Sequence, residues 1–144
     1  MSTPLRTDVR AARLEALRRE YMGQIVAIAA RQGRPLRVAP YALAQPGAEQ
    51  HADLEQIAEY ATARGWKVTS STFADMSQPL PLTQRPGFGA ACRYAAQGFA
   101  DGILAIARPA ITTDNETYSL VLEHLHDRDV FLAYLPTVDA PTTP

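Results

Sequence analysis

Four side chains stand where an α/β sheet would gather chemistry: Gln45, Asp75, Arg85 and Arg108, each in or beside a connection that follows a strand pattern. Arg85 precedes a helix start, so a fixed cation is paired with the amides of a helix N-terminus; with Arg108 it forms a candidate anion-binding pair. Asp75 closes a strand and reads either as a group that orients a ligand or as a turn-former bonded to its own backbone. The stretch Tyr41–Gln50, YALAQPGAEQ, offers no nucleophile, no activating arginine and no phosphate-cradling glycine loop. Ser70, Ser71 and Thr72 bring hydroxyls along the second strand and read as half-buried strand residues. Cys92 sits on an apolar helical stripe among alanines and reads as a small hydrophobe. His124 and His126 are two apart, about 200° round a helix, which spoils chelation. With no Cys/His cluster and only a lone G-x-G in RPGFGA, neither metal nor cofactor is expected. Tyr41 and Trp66 fall in strand patterns and read as core aromatics.

These side chains need a scaffold, and the periods supply one. Thr7 to Gln32 is helical, with Leu14, Leu17, Tyr21, Ile25 and Ile28 stepping by three or four, and Gly33 and Pro35 stop it. Leu36–Ala44 reads as a strand, although Pro40 lacks an N–H and argues for an edge or a bulge. A helix follows over Ala48–Arg64, ended by Gly65, then a strand over Trp66–Phe73. The proline-rich loop DMSQPLPLTQ leads to a helix with Pro86 in its first turn. Gly102–Ala107, GILAIA, is the continuous apolar run of a strand covered on both faces. Thr113-Asp-Asn-Glu116 reads as a capping box for a helix carrying Tyr118, Val121, Leu122 and Leu125. Val130–Leu135 is the last strand, stopped by Pro136. Strand and helix alternate as βαβ units do, which implies an α/β fold: a mostly parallel four-stranded sheet flanked by helices behind a long N-terminal helix. The segments are then 1–35, a basic amphipathic helix; 36–136, the α/β domain; and 137–144, a disordered tail.

The net charge of −1 conceals an asymmetry. Residues 1–37 hold eight arginines against Asp8, Glu15 and Glu20, while the remainder is acidic by six charges. Arg10, Arg13, Arg18, Arg19, Arg31 and Arg34 are therefore candidate contacts to DNA phosphates or to an acidic partner. The stripe Leu14, Leu17, Tyr21, Ile25, Ile28 is a candidate oligomer surface. No apolar run approaches a membrane span, and MSTPLRTDVR lacks the order of a secretory signal, so a cytoplasmic protein with no membrane role is expected.

The segment from about Leu36 to Pro136 resembles the catalytic domain of serine recombinases, the resolvase and invertase family. The resemblance is carried by Asp75, Ser77 and Arg85-Pro86-Gly87-Phe88 in order, between a strand ending near Tyr41 and the apolar strand before Arg108. It implies a resolvase-like, flavodoxin-like sheet. It also implies a strand-end serine that attacks a DNA phosphate, with arginines stabilising the developing charge. Aligned on Tyr41, this sequence has Leu43 where the family has its first arginine and Gln45 where it has the serine. Ala107 replaces the aspartate of Asp-Arg-Leu, and Ile111 falls where the second arginine belongs. Tyr41, Leu43, Gln45 and Asp75 thus mark a degenerate site without a catalytic residue. Family members commonly carry a DNA-binding region after the catalytic domain, and the eight residues beyond Pro136 leave none expected here.

Three functions follow from this reading. The first is an inactive resolvase-like protein, a regulatory or accessory factor that oligomerises with itself or another protein and contacts DNA nonspecifically. The second is an interaction adaptor whose basic helix docks on an acidic partner, with no nucleic-acid role. The third is an active enzyme of a related fold, centred on Gln45, Asp75, Arg85 and Arg108.

Overall fold

The computed structural model of the protein describes residues 2–77 and 80–136, with side chains from Val9 onward. The expected tail, 137–144, lies outside the described residues. Helix α1 (Ser2–Arg31) leads into β1 (Arg37–Leu43), α2 (Ala48–Ala63), β2 (Lys67–Val68), β3 (Phe73–Asp75), α3 (Pro86–Tyr94), β4 (Gly102–Ala105), α4 (Asn115–His126) and β5 (Phe131–Tyr134). The strands are parallel, in the order β2-β1-β4-β5, with β3 also on β1. None of the helices, among the described residues, is long and apolar enough to cross a membrane.

The sheet has five strands because the expected second strand is broken in two. β2 pairs with the start of β1, Val38 opposite Val68, and β3 with its end, Tyr41 opposite Phe73. Pro40 explains the gap. Val38 and Leu36 accept from the β2 side through their carbonyls, so by alternation Pro40 turns its nitrogen to that side too, and it has no hydrogen to give. The partner strand bows away between Val68 and Phe73, carrying Ser70, Ser71 and Thr72 with it. The sequence reading of Pro40 as an edge residue is corrected: β1 is central, paired to β4 on its other side with Pro40 opposite Leu104, and the interruption falls on the neighbour.

Alternation along the buried strands splits the core between the two faces. Ala39, Tyr41, Ile103, Ala105 and Leu132 meet α3 and α4 on one face, while Val38, Leu104, Phe131 and Ala133 meet Ile57 and Ala61 of α2 on the other. Helix α1 lies along the outer edge of β5 and serves both layers. Leu14, Leu17 and Tyr21 join the α3/α4 side, and Ile25 and Ala29 join the α2 side. Burial of Leu14 and Ile25 contributes about 1.5–3 kcal/mol each. The proposed oligomer stripe is therefore spent largely on the chain's own core; of its five residues only Ile28, 40% exposed, faces outward. Arg18 falls on the same inner face. Its Nη1 donates to the Leu132 carbonyl at 2.7 Å, a group that faces away from β4, while Nε and Nη2 grip Glu15. An arginine expected to meet DNA instead seals the open edge of the sheet.

Helix ends follow local chemistry. Gly33, at φ 66°, closes α1 with paired bonds from Gly33 N to Ala30 O and from Arg34 N to Ala29 O. At α4 the cap is Asp114, one residue later than the expected box begins, its carboxylate accepting from Thr117 N at 2.8 Å. Gly87, in the first turn of α3, lies hard against β3: a Cβ there would overlap the Ala74 carbonyl.

The amino end of the sheet is tied by Asp101, 5% exposed. It accepts two bonds from Arg34 (2.9 and 3.0 Å), two from the Arg37 side chain and one from the Arg37 amide at 2.8 Å. Arg34, another candidate DNA contact, is thereby committed to the fold. Burial alone would raise the Asp101 pKa, but the bonds from Arg34 and Arg37 outweigh it and hold the carboxyl below the ordinary aspartate range. The stabilisation is thus complete above about pH 4, the unfolded value, and is lost as pH falls through the lower folded value. Asp101→Asn is expected to cost about 2–3 kcal/mol at neutral pH and to flatten the acid limb of a stability–pH profile measured by urea denaturation. Gly87→Ala is expected to lower the urea midpoint by the equivalent of about 1–3 kcal/mol without changing the m-value.

Candidate functional site

Parallel strands deliver their following loops to one end of a sheet, so Gln45, Asp75 and Arg108 arrive at the same end by topology alone. Tyr41, fully buried in β1, points its hydroxyl at Asp75 and donates to Oδ2 at 2.8 Å; its ring meets Phe88 edge-on at 5.3 Å. Burial, followed by the bond to Asp75, raises the Tyr41 pKa above the phenol range, and the nearby Arg85 guanidinium acts in the opposite sense. The hydroxyl stays protonated and serves as a donor. Leu43 is half-buried against the α3/α4 core.

Asp75 is neither of the things its sequence position suggested. Its Oδ1 accepts from Gly87 N and its Oδ2 from Phe88 N, both at 2.8 Å. These are amides of the first turn of α3, and the residue at the N-cap position, Arg85, makes no side-chain cap of its own. A β3 carboxylate therefore caps a helix twelve residues further on. It occupies the place at which a helix N-terminus would receive an external anion.

Arg85 is also occupied. Its Nε donates to Leu80 O at 3.1 Å and its Nη1 to Ala110 O and Ile111 O, both at 2.9 Å. It straps the loop before α3 to the loop after β4. Arg108 works within that second loop, donating to Thr112 O at 3.0 Å and Asn115 Oδ1 at 2.8 Å, with its guanidinium 4.0 Å from the Tyr118 ring centroid. The two candidate anion ligands thus meet on residues 108–112, one from outside and one from within, and each is engaged by carbonyl or amide oxygens.

Gln45 is exposed. Its side-chain amide donates to Ser77 Oγ at 2.8 Å, and its backbone N–H donates to Glu49 Oε1 at 2.9 Å. A carboxamide donor holds a serine hydroxyl in place but takes no proton from it, so Ser77 is not activated here. Ser70, Ser71 and Thr72 lie in the bowed segment beside the middle of β1, away from the strand ends. Burial pushes the Cys92 thiol up to about 11, which leaves it unreactive at neutral pH. No cluster of metal ligands is found among the described residues.

Of the six candidate arginines of the N-terminal region, Arg10, Arg13, Arg19 and Arg31 are exposed, while Arg18 and Arg34 are built into the fold. Val9–Arg13 contains no buried residue, and Arg10, with Arg108, adds to the bonds from Thr117 that hold the Asp114 carboxyl below the ordinary aspartate range. The sequence reading missed one polar cluster. The hydroxyls of Tyr118 and Tyr134 meet at 2.6 Å, and the Arg18 guanidinium lies 5.1 Å from the Tyr134 centroid. The signal was present in the helix: Arg18 falls between Leu14 and Tyr21 on the buried stripe, three residues after Glu15. His126 is the last residue of α4, where it stacks on Tyr21 at 3.8 Å and bonds Gln24.

No protein-family model matches the chain, and no curated protein sequence matches it. Solved structures do. The C-terminal catalytic domain of ISC1926 TnpA, an IS607-like serine recombinase, matches with a TM-score of 0.60 at 19% identity, covering 72% of this chain and 72% of that one. The N-terminal catalytic domain of TP901-1 integrase matches with a TM-score of 0.60 at 19% identity, covering 69% of this chain and 76% of that one. The parallel sheet, its flanking helices and the strand-end loops together have the fold of serine recombinase catalytic domains.

Proposed function

We propose that the protein is a catalytically inactive relative of serine recombinases, a regulatory or accessory factor that contacts DNA nonspecifically through the outward arginines of α1. The observation that carries this reading is Gln45. At the strand-end position where the resembled family has its nucleophile, this chain has a carboxamide bonded to Ser77. The surrounding groups support the same reading: Leu43 stands in the place of an arginine, and Asp75, Arg85 and Arg108 are engaged within the fold. A phosphodiester brought to this end would find neither an activated hydroxyl nor an unengaged pair of cations. It would find Arg10 and Arg13 on the exposed stretch Val9–Arg13 of α1, with Arg19 and Arg31 further along. Oligomerisation, also part of this reading, would have to use what α1 leaves outside, such as Val9, Val26 and Ile28.

Incubation of the full chain with duplex DNA, quenched in denaturant, is expected to give no covalent protein–DNA adduct, and Gln45→Ser alone is expected to leave that unchanged. An adduct that disappears in Ser77→Ala, or in a Ser70, Ser71 or Thr72 substitution, would overturn the proposal. Fluorescence anisotropy with labelled duplex is expected to show binding that weakens roughly a hundredfold between about 50 and about 200 mM salt, as three or four phosphate contacts would require. Arg10→Glu with Arg13→Glu is expected to abolish most of it. No binding would remove DNA from the reading and leave the adaptor role, and binding insensitive to salt and to these substitutions would overturn the contact through α1.

A further inference from the structure

One concavity starts at Leu82, Thr83 and Arg85, in the loop before α3, and leads away from the strand ends along the helices. A groove of about 630 Å³ runs between α3 and α4 on the outer side of the sheet. Its wall is apolar, with Phe88 and Cys92 from α3 and Val121 from α4. Leu120 stands on the rim, 67% exposed, with no core to enter. From Thr117 to His124 the α4 wall is two turns long, about 10 Å. Arg93, on the last turn of α3, and Arg128, just past α4, lie at one end beside His124. No acidic side chain lines the groove, and neither arginine is ion-paired among the described residues.

We infer that this groove docks an acidic amphipathic helix of another protein, apolar face down between α3 and α4 and carboxylates toward Arg93 and Arg128. Two parallel walls two turns long present the geometry that takes side chains at i, i+3 or i+4, and i+7 of a third helix. The upright Leu120 argues for an occupant that lies across the rim rather than one sunk below it. The charge of the lining sets the sign of the partner. A second copy of this chain fits poorly. Its acidic helix, α2, exposes Glu49, Ala52, Glu55, Gln56 and Glu59, which lack large apolar side chains. Its helix with exposed aliphatics, α1, is rich in arginine and would meet like charge.

The test uses the full chain and a fluorescein-labelled helical peptide with leucines at i, i+3, i+4 and i+7 and glutamates elsewhere. Two control peptides replace the glutamates by lysines or the leucines by alanines. Anisotropy is expected to rise with the glutamate–leucine peptide alone. Leu120→Glu, and separately Arg93→Glu with Arg128→Glu, should each weaken that binding about tenfold or more. Both variants change exposed residues, and unaltered thermal melts establish that they fold. No binding, equal binding of the lysine peptide, or binding indifferent to both variants overturns the inference. So does sedimentation in which Leu120→Glu converts a dimer to a monomer, since the groove then holds a second copy.

Discussion

The carboxylate of Asp75 decides how the strand-end region is arranged. A helix N-terminus presents unpaired amides and a partial positive charge, and in an open α/β fold that makes it a receiver for an anion. Here the anion is supplied from within, two oxygens reaching two amides of α3. Several other features follow from that choice. Gly87 is needed because the carboxylate draws the helix onto the β3 backbone so closely that a methyl group has no room. Tyr41 is buried with a partner waiting for its hydroxyl, so a phenol at the centre of the sheet costs little. Arg85, with the helix end already neutralised, turns across to strap two loops.

The arginines of the N-terminal region divide into two populations by what they face. Arg18 and Arg34 each meet an acceptor within the fold: an outward carbonyl of the last strand, and a nearly buried carboxylate that Arg34 shares with Arg37. Their charges are structural. Arg10, Arg13, Arg19 and Arg31 remain exposed, Arg19 in a surface pair with Glu15 of little energetic consequence. The positive surplus of the first 37 residues is therefore smaller as a surface property than as a sum over the sequence. Its outward part is spread along α1, from Arg10 to Arg31.

Elements whose signals are local were legible in the sequence. The 3.6-residue stripes gave the helices, the apolar run Gly102–Ala105 gave a strand buried on both faces, and Gly33 and Asp114 mark helix ends by their own chemistry or within one residue of it. The parts that were not legible depend on partners distant in the chain. Pro40 signals a missing donor, but not that a central strand would keep it and the neighbour would break. Asp75 carries no mark of an engagement with amides twelve residues away, and nothing near Arg34 announces Asp101. The candidate site was legible as a set of positions and not as a set of engagements. Gln45 at the end of β1 can be read from the sequence, whereas the straps that tie up Arg85 and Arg108 exist only once the loops converge. Arg18 is the intermediate case, readable from its place on the inner face of α1 but easily counted with the other arginines.

The position of α1 across the edge of β5 joins the first element of the chain to the last. Arg18 and the carbonyl it seals are 114 residues apart, and the two halves of the helix complete cores on opposite sides of the sheet. During synthesis α1 leaves the ribosome well ahead of α4 and β5, the elements against which most of its stripe is buried. Closing so long a loop gives no reward before its final contact, which makes docking of α1 a late event in folding. Until then the nascent chain displays a greasy, arginine-rich helix together with an unprotected strand edge, the pair of surfaces that general chaperones hold apart.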